Sequence, residues 1–137
     1  MIEIHRITTE RLNEFWPDLA PHIKRAADRY SRDYSLQEVR EAIISGDAIL
    51  FGVHDGTDFV GAITATTIDY PRRTILLIEL VGGTGVKNWY VEAIEALTVL
   101  AKAAGCGAIR AEARKGWKMM SNDVGFKEIS VTYEKVL

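Results

Sequence analysis

The chain has 137 residues, 47% hydrophobic and 26% charged, with a formal net charge of -2, which suits one domain, residues 1–137, with a core of its own. That charge excludes a general nucleic-acid binder, which would carry a basic face, and no apolar run nears the roughly 20 residues of a membrane-spanning helix. The opening "MIEIHRITTERL" lacks the basic start and apolar block of a secretory signal, and the lone Cys106 permits no internal disulfide, so a cytoplasmic setting is expected.

In chain order, "IEIHRI" alternates apolar and polar residues, the period of a half-buried strand. Through "TTERLNEFWPDLAPHIKRAADRY" the apolar positions Leu12, Phe15, Trp16, Leu19, Ile23, Ala26, Ala27 and Tyr30 step by three or four, which predicts helix. Pro17 and Pro21 interrupt backbone bonding, so two helical pieces with a break near Trp16–Asp18 are expected. "SLQEVREAIISGD" predicts a helix with a Ser35/Glu38 capping box and a stop at Gly46.

Three strand-like runs follow. "AILFGVHDG" and "DFVGAITATTIDYP" make a hairpin around Asp55-Gly56, with Thr57 and Asp58 lengthening its loop. "RRTILLIELV" is almost unbroken in its apolar residues, as in a central strand buried on both faces. Then "GGTG" precedes a long helical stripe through Val86, Trp89, Ala93, Ile94, Leu97, Leu100, Ala101 and Ala104. "AIRAEAR" predicts a strand, "GWKMMSNDVG" a short helix, and "FKEISVTYEKVL" a last strand. The order β, α, α, β, β, β, α, β, α, β makes an α+β or mixed α/β domain, antiparallel in front with a βαβ step inside it.

Two explanations of the glycines stay open. A helix start leaves backbone N–H groups without partners and a partial positive charge, and glycines let the chain approach a phosphate closely. Alternatively the turn only needed room. Of the other chemistry-bearing residues, His5, His22 and His54 are scattered, with no ligand spacing to another His or Cys, so no metal site is expected. Cys106 has no evident activating partner and suits a small buried residue. Trp89 and Trp117 suit core packing. Arg114, Lys115 and Lys118 form a local basic patch, solvated or anion-binding.

With "LVGGTG" joining a central strand to the longest helix, the chain resembles the GNAT superfamily of N-acyltransferases over nearly its whole length. The resemblance implies a GNAT-like fold: a twisted mixed sheet of six or seven strands, helices on both faces, and a V-shaped splay between strands. It also implies acetyl-CoA or another acyl-CoA as co-substrate and an amine as acceptor. The family's loop reads Gln/Arg-x-x-Gly-x-Gly/Ala; here Gly83 and Gly85 fall on the small positions and Leu80 stands where Gln or Arg is expected. By this resemblance the coenzyme site comprises Leu80, Val81, Gly82, Gly83, Thr84, Gly85, Val86 and Lys87, with the basic patch near the coenzyme's 3′-phosphate.

The general base the family implies is a carboxylate on the fourth or fifth strand, or a water held by one. Glu79 interrupts an apolar run and is the first candidate, Glu112 the second; the plainer role for Glu79 is an ion pair with Arg72, Arg73 or Arg110. Gly125-Phe126 matches the family's ending, but Ser121 replaces the tyrosine that often protonates the departing thiolate, which leaves Tyr133 as a substitute. "FWPDLAPHIKRA", the capping-box helix and "GCGAIRAEARKGW" look most like the small GNAT-like proteins of phages and prophages, many with degraded motifs. That resemblance carries a rival reading, a catalytically silent structural or protein-binding module. A homodimer through exchanged last strands or paired helices is a further option.

Overall fold

The computed structural model describes residues 1–30, 33–113 and 123–137. Five strands form one sheet in the order β1-β2-β3-β4-β5: β1 (Glu3–Ile7), β2 (Ile49–His54), β3 (Phe59–Asp69), β4 (Thr74–Gly83) and β5 (Cys106–Ala111). Neighbours are antiparallel except β4 and β5, which are parallel. A parallel pair needs a crossover, and here it is α3 (Tyr90–Ala103).

Helices cover both faces, as the sequence predicts for a GNAT-like α+β fold. On one face α1 (Leu12–Tyr30) and α2 (Leu36–Ser45) bury Leu19, Ile23, Ala26, Val39 and Ile43 against Leu50, Ala62 and Leu80 of the sheet. On the other, α3 packs Ala93, Leu97 and Ala101, with Trp89 just before it, against Val53, Ile63, Leu76 and Ile78. The capping box of α2 is formed, Ser35 Oγ accepting from the Glu38 N–H and Glu38 Oε1 from the Ser35 N–H, and Gly46 closes the helix in the left-handed conformation.

Four sequence expectations are corrected. The break near Trp16–Asp18 is absent; α1 runs through both prolines. Pro17 and Pro21 lie four apart on the exposed side of the helix, so the carbonyls they release face water, and the buried stripe from Leu12 to Ala27 outweighs a cost of about 3 kcal/mol per interior proline. The sheet has five strands, not six or seven, because "FKEISVTYEKVL" forms no strand among the described residues. Gly82 and Gly83, expected in a loop, extend β4 and pair with Ala62 and Gly61 of β3. Glu112, expected on a strand, lies just beyond the end of β5. The short helix expected over "GWKMMSNDVG" falls mostly on residues 114–122, outside the described residues.

One irregularity organises the centre of the sheet. Thr64 pairs with Leu80 and Ala65 with Ile78, so Glu79 is an extra residue in β4. A bulge reverses the side-chain alternation beyond it. Leu76 and Ile78 therefore face α3, whereas Leu80, two residues on, faces α1.

Candidate functional site

The bulge coincides with a fork. Pairing between β4 and β5 ends at Ile78↔Ala111, and from Glu79 to Gly83 β4 continues, among the described residues, with β3 alone. Glu79 and Glu112 are the first residues past the last rung, one on each arm. Glu79 is half-buried; burial, and secondarily the charge of Glu112, raise its carboxyl above the ordinary range. Among the described residues Glu79 has no ion pair, and Arg110 donates to the Tyr70 hydroxyl at 3.3 Å. Among the described residues the fork thus holds two carboxylates and no paired cation.

The glycines beyond the fork have separate causes. A Cβ on Gly82 would overlap the His22 carbonyl oxygen of α1. A Cβ on Gly83 would run into the Val60 carbonyl and stand 3.1 Å from the Trp89 ring, and Gly83 has φ +156°. A Cβ on Gly61 opposite would stand 2.7 Å from the same ring. These glycines let α1, β3 and an indole close on the end of β4. Trp89 is 2% exposed and donates its indole N–H to the Thr84 carbonyl at 2.9 Å, which fixes the turn. It is a packing residue, as expected.

Gly85 differs. It is left-handed, with φ +61°, and a Cβ there would meet only the Asn88 side-chain amide, at 3.2 Å. It opens a single 3-10 turn, Val86–Asn88, that leads into α3, and neither helix start has a side-chain cap. The Thr84 N–H bonds to the Val60 carbonyl at 2.9 Å, Asn88 N–H to Gly85 O at 2.8 Å and Trp89 N–H to Val86 O at 3.1 Å. The N–H groups of Gly85, Val86 and Lys87 meet no backbone carbonyl among the described residues. Three consecutive donors without acceptors are what an anion needs.

They border a cleft of about 510 Å³ whose one wall is the end of β4 and the turn, and whose other wall is α1 through Arg25, Ala26 and Arg29. With Lys87 on the turn, three cationic side chains line it. Arg25 and Arg29 were missed in the sequence although their i, i+4 spacing puts them on one flank of the helix. Nothing local shows that this flank meets the glycine turn across the sheet. Glu79 lies six residues before Gly85, so at strand rise the fork and turn are at most about 20 Å apart.

The remaining candidates lie elsewhere. Leu80 is 6% exposed in the α1 core, and Val81 packs on the α3 side. Tyr133 is 90% exposed on the C-terminal segment. Cys106 is half-buried against the α3-side core. His5 lies edge-on to His54, ring centres 6.2 Å apart, while His22 bonds to the Phe59 carbonyl at 3.0 Å. Arg114, Lys115, Trp117, Lys118 and Ser121 lie outside the described residues.

No protein-family model and no curated protein matches the sequence. The fold, however, matches solved acetyltransferases closely. A ribosomal-protein-alanine N-acetyltransferase from Brucella melitensis biovar Abortus 2308 superposes with a TM-score of 0.75 at 12% identity, covering 100% of this chain and 99% of its own. An aminoglycoside acetyltransferase from an uncultured soil metagenomic sample, in complex with sisomicin, gives 0.73 at 14% identity, covering 99% and 96%. Glucosamine-6-phosphate N-acetyltransferase from Arabidopsis thaliana gives 0.68 at 14% identity, covering 99% and 98%. At such identities the likeness shows a common fold, the GNAT-like one.

Proposed function

We propose that this protein is an acyl-CoA-dependent N-acyltransferase that takes acetyl-CoA as donor and a small amine as acceptor. The observation that carries the reading is the polarity of the site. Three open N–H groups with Arg25, Arg29 and Lys87 lie at one end, and two carboxylates lie at the fork. That distribution suits a donor with a diphosphate at one end and an acceptor arriving as an ammonium ion. The solved acetyltransferases of like fold point the same way.

In this reading Gly85, Val86 and Lys87 donate to the diphosphate, and the arginines of α1 neutralise its charge. The stretch of β4 without a β5 partner, Glu79 to Gly83, offers main-chain groups to an extended ligand. The co-substrate supplies an activated acyl carbonyl. Glu79, directly or through a water, takes a proton from the ammonium so that the nitrogen's lone pair can attack that carbonyl. The C–N bond forms, the nitrogen gives up its second proton to water, the C–S bond breaks, and the thiolate takes a proton from solvent. Much of the acceleration comes from holding the amine against the carbonyl.

A second reading, a GNAT-fold module that binds protein or builds a structure without catalysis, as among phage-encoded proteins, has its own support. Leu80 is committed to the core where the family loop has Gln or Arg, and Gly82 and Gly83 are accounted for by packing. Thermal melting separates the two. A ligand that binds only the native state at a hundred times its Kd adds about 2.7 kcal/mol, so millimolar acetyl-CoA should raise Tm by several degrees. An unchanged Tm with acetyl-CoA, succinyl-CoA and free CoA would put the module reading ahead.

A further inference from the structure

The three open N–H groups of the turn belong to three successive peptide units, and the carbonyl of each unit already has a donor. Thr84 O accepts the Trp89 indole N–H at 2.9 Å, Gly85 O the Asn88 N–H at 2.8 Å, and Val86 O the Trp89 main-chain N–H at 3.1 Å. Every one of these peptides is trans, and in a trans peptide the N–H points opposite to the C=O. Holding the three carbonyls within the turn therefore sends the N–H groups of Gly85, Val86 and Lys87 the other way. These are the residues that line the cleft.

The second and third units are held by backbone donors of the turn itself. The first is not. Among the described residues, Thr84 O has the indole as its one donor. That unit ends at Gly85, and a glycine can turn its peptide over at little steric cost, which would carry the N–H away with it. The indole cannot follow such a rotation. Its ring is 2% exposed, and a Cβ on Gly61 or Gly83 would stand only 2.7 or 3.1 Å from it. On the strand side, the Thr84 N–H is tied to the Val60 carbonyl of β3 at 2.9 Å. Packing thus fixes the ring, and the ring fixes the first peptide of the turn.

We infer that Trp89 is a positioning residue for the diphosphate: its indole N–H, acting through the Thr84 carbonyl, keeps the Gly85 N–H turned to the cleft. The inference rests on the reading of the turn as the coenzyme site and adds to it a residue outside the cleft lining. An anion held by several N–H groups binds best when those donors are set beforehand, because binding then orders nothing. Without the indole bond the exposed Thr84 takes water at its carbonyl, and the peptide has to be turned as the ligand arrives. Trp89 carries no charge, so its N–H contributes shape alone. The ring and its donor are also separable, since phenylalanine supplies an apolar ring with no N–H.

Titration calorimetry with acetyl-CoA and with inorganic pyrophosphate tests this on the wild type, Trp89→Phe and Ile63→Val, the last a loss of one methylene in the core cluster that holds Trp89. Trp89→Phe should raise the Kd of both ligands about fivefold, the weight of one neutral hydrogen bond, with the salt dependence of the wild type. Ile63→Val should lower Tm and leave both affinities in place. Where Trp89→Phe does not fold, NMR of the wild type decides: a Trp89 indole proton protected from exchange and a Gly85 amide resonance moved by pyrophosphate are expected. Equal affinities in wild type and Trp89→Phe overturn the inference, as does an equal weakening by Ile63→Val, an unprotected indole proton, or a Gly85 amide that bound pyrophosphate leaves unmoved. A wild type that binds pyrophosphate but not acetyl-CoA sinks the coenzyme reading alone, with Trp89 judged on pyrophosphate. One that binds neither sinks both.

Discussion

Gly82 and Gly83 on one side and Gly85 on the other sit within four residues of each other and are glycine for different reasons. The first two are enclosed: α1 presses a carbonyl on Gly82, and β3 and Trp89 close over Gly83. Gly85 is open, left-handed and followed by donors with no acceptor. A glycine motif is therefore not one signal. Where a Cβ would strike the protein's own backbone, glycine reports packing; where it would meet almost nothing, glycine reports a conformation, and here that conformation presents N–H groups to a cleft.

Substitutions can break that contrast. Gly82→Ala sets a methyl against backbone that cannot swing aside, so a loss of about 3 kcal/mol and a Tm lower by roughly 10 °C are expected. A near-native Tm in denaturation would remove the packing explanation. Gly85→Asp should do the reverse. Aspartate tolerates the left-handed region better than most residues, so its cost is about 1 kcal/mol. Its charge beside three donors and its competition for them should weaken acetyl-CoA at least about tenfold by titration calorimetry. Equal affinity in this variant would detach the turn from the coenzyme.

Arg25→Ala tests the opposite wall at lower cost. The side chain is exposed, so stability should hold within about 0.5 kcal/mol. Loss of one charge near a bound diphosphate should raise the Kd for acetyl-CoA a few-fold, less so at high salt. Salt-independent affinity would point to a ligand whose charge does not reach α1.

Much of this fold is legible in the sequence because its elements obey one period at a time. The capping box at Ser35 and Glu38, the hairpin around Asp55-Gly56 and the α3 stripe are local signals, and the structure realises each. Two features needed tertiary information. The prolines of α1 are tolerated because the face they occupy is wet, which depends on where the sheet lies. The bulge at Glu79 is hidden because a reversed alternation turns "ILLIELV" into an apparently continuous apolar run. At the site, Glu79 stands out as the one charge in an apolar run, whereas its placing at a fork opposite Glu112, and the approach of Arg25 and Arg29 to the turn, arise only on folding.

The last test concerns the fork, the acidic counterpart of the cationic turn. Burial, then the Glu112 charge, raises the Glu79 carboxyl. As a base Glu79 works only when ionised, so kcat/KM should rise with pH as it loses its proton. Glu112→Gln removes the repulsion and leaves the burial, so the acidic limb should move to lower pH yet stay above that of an ordinary glutamate. Stability follows with a definite sign. A carboxyl whose pKa is higher folded than unfolded holds its proton more tightly in the native state, so its contribution is full below the unfolded pKa and is lost as pH rises through the folded one. Glu79→Gln should therefore melt like the wild type near pH 4 and slightly higher near pH 7, while its kcat/KM falls by roughly a hundredfold if Glu79 is the base. An acidic limb that Glu112→Gln leaves in place would show that the two carboxylates do not share the fork electrostatically.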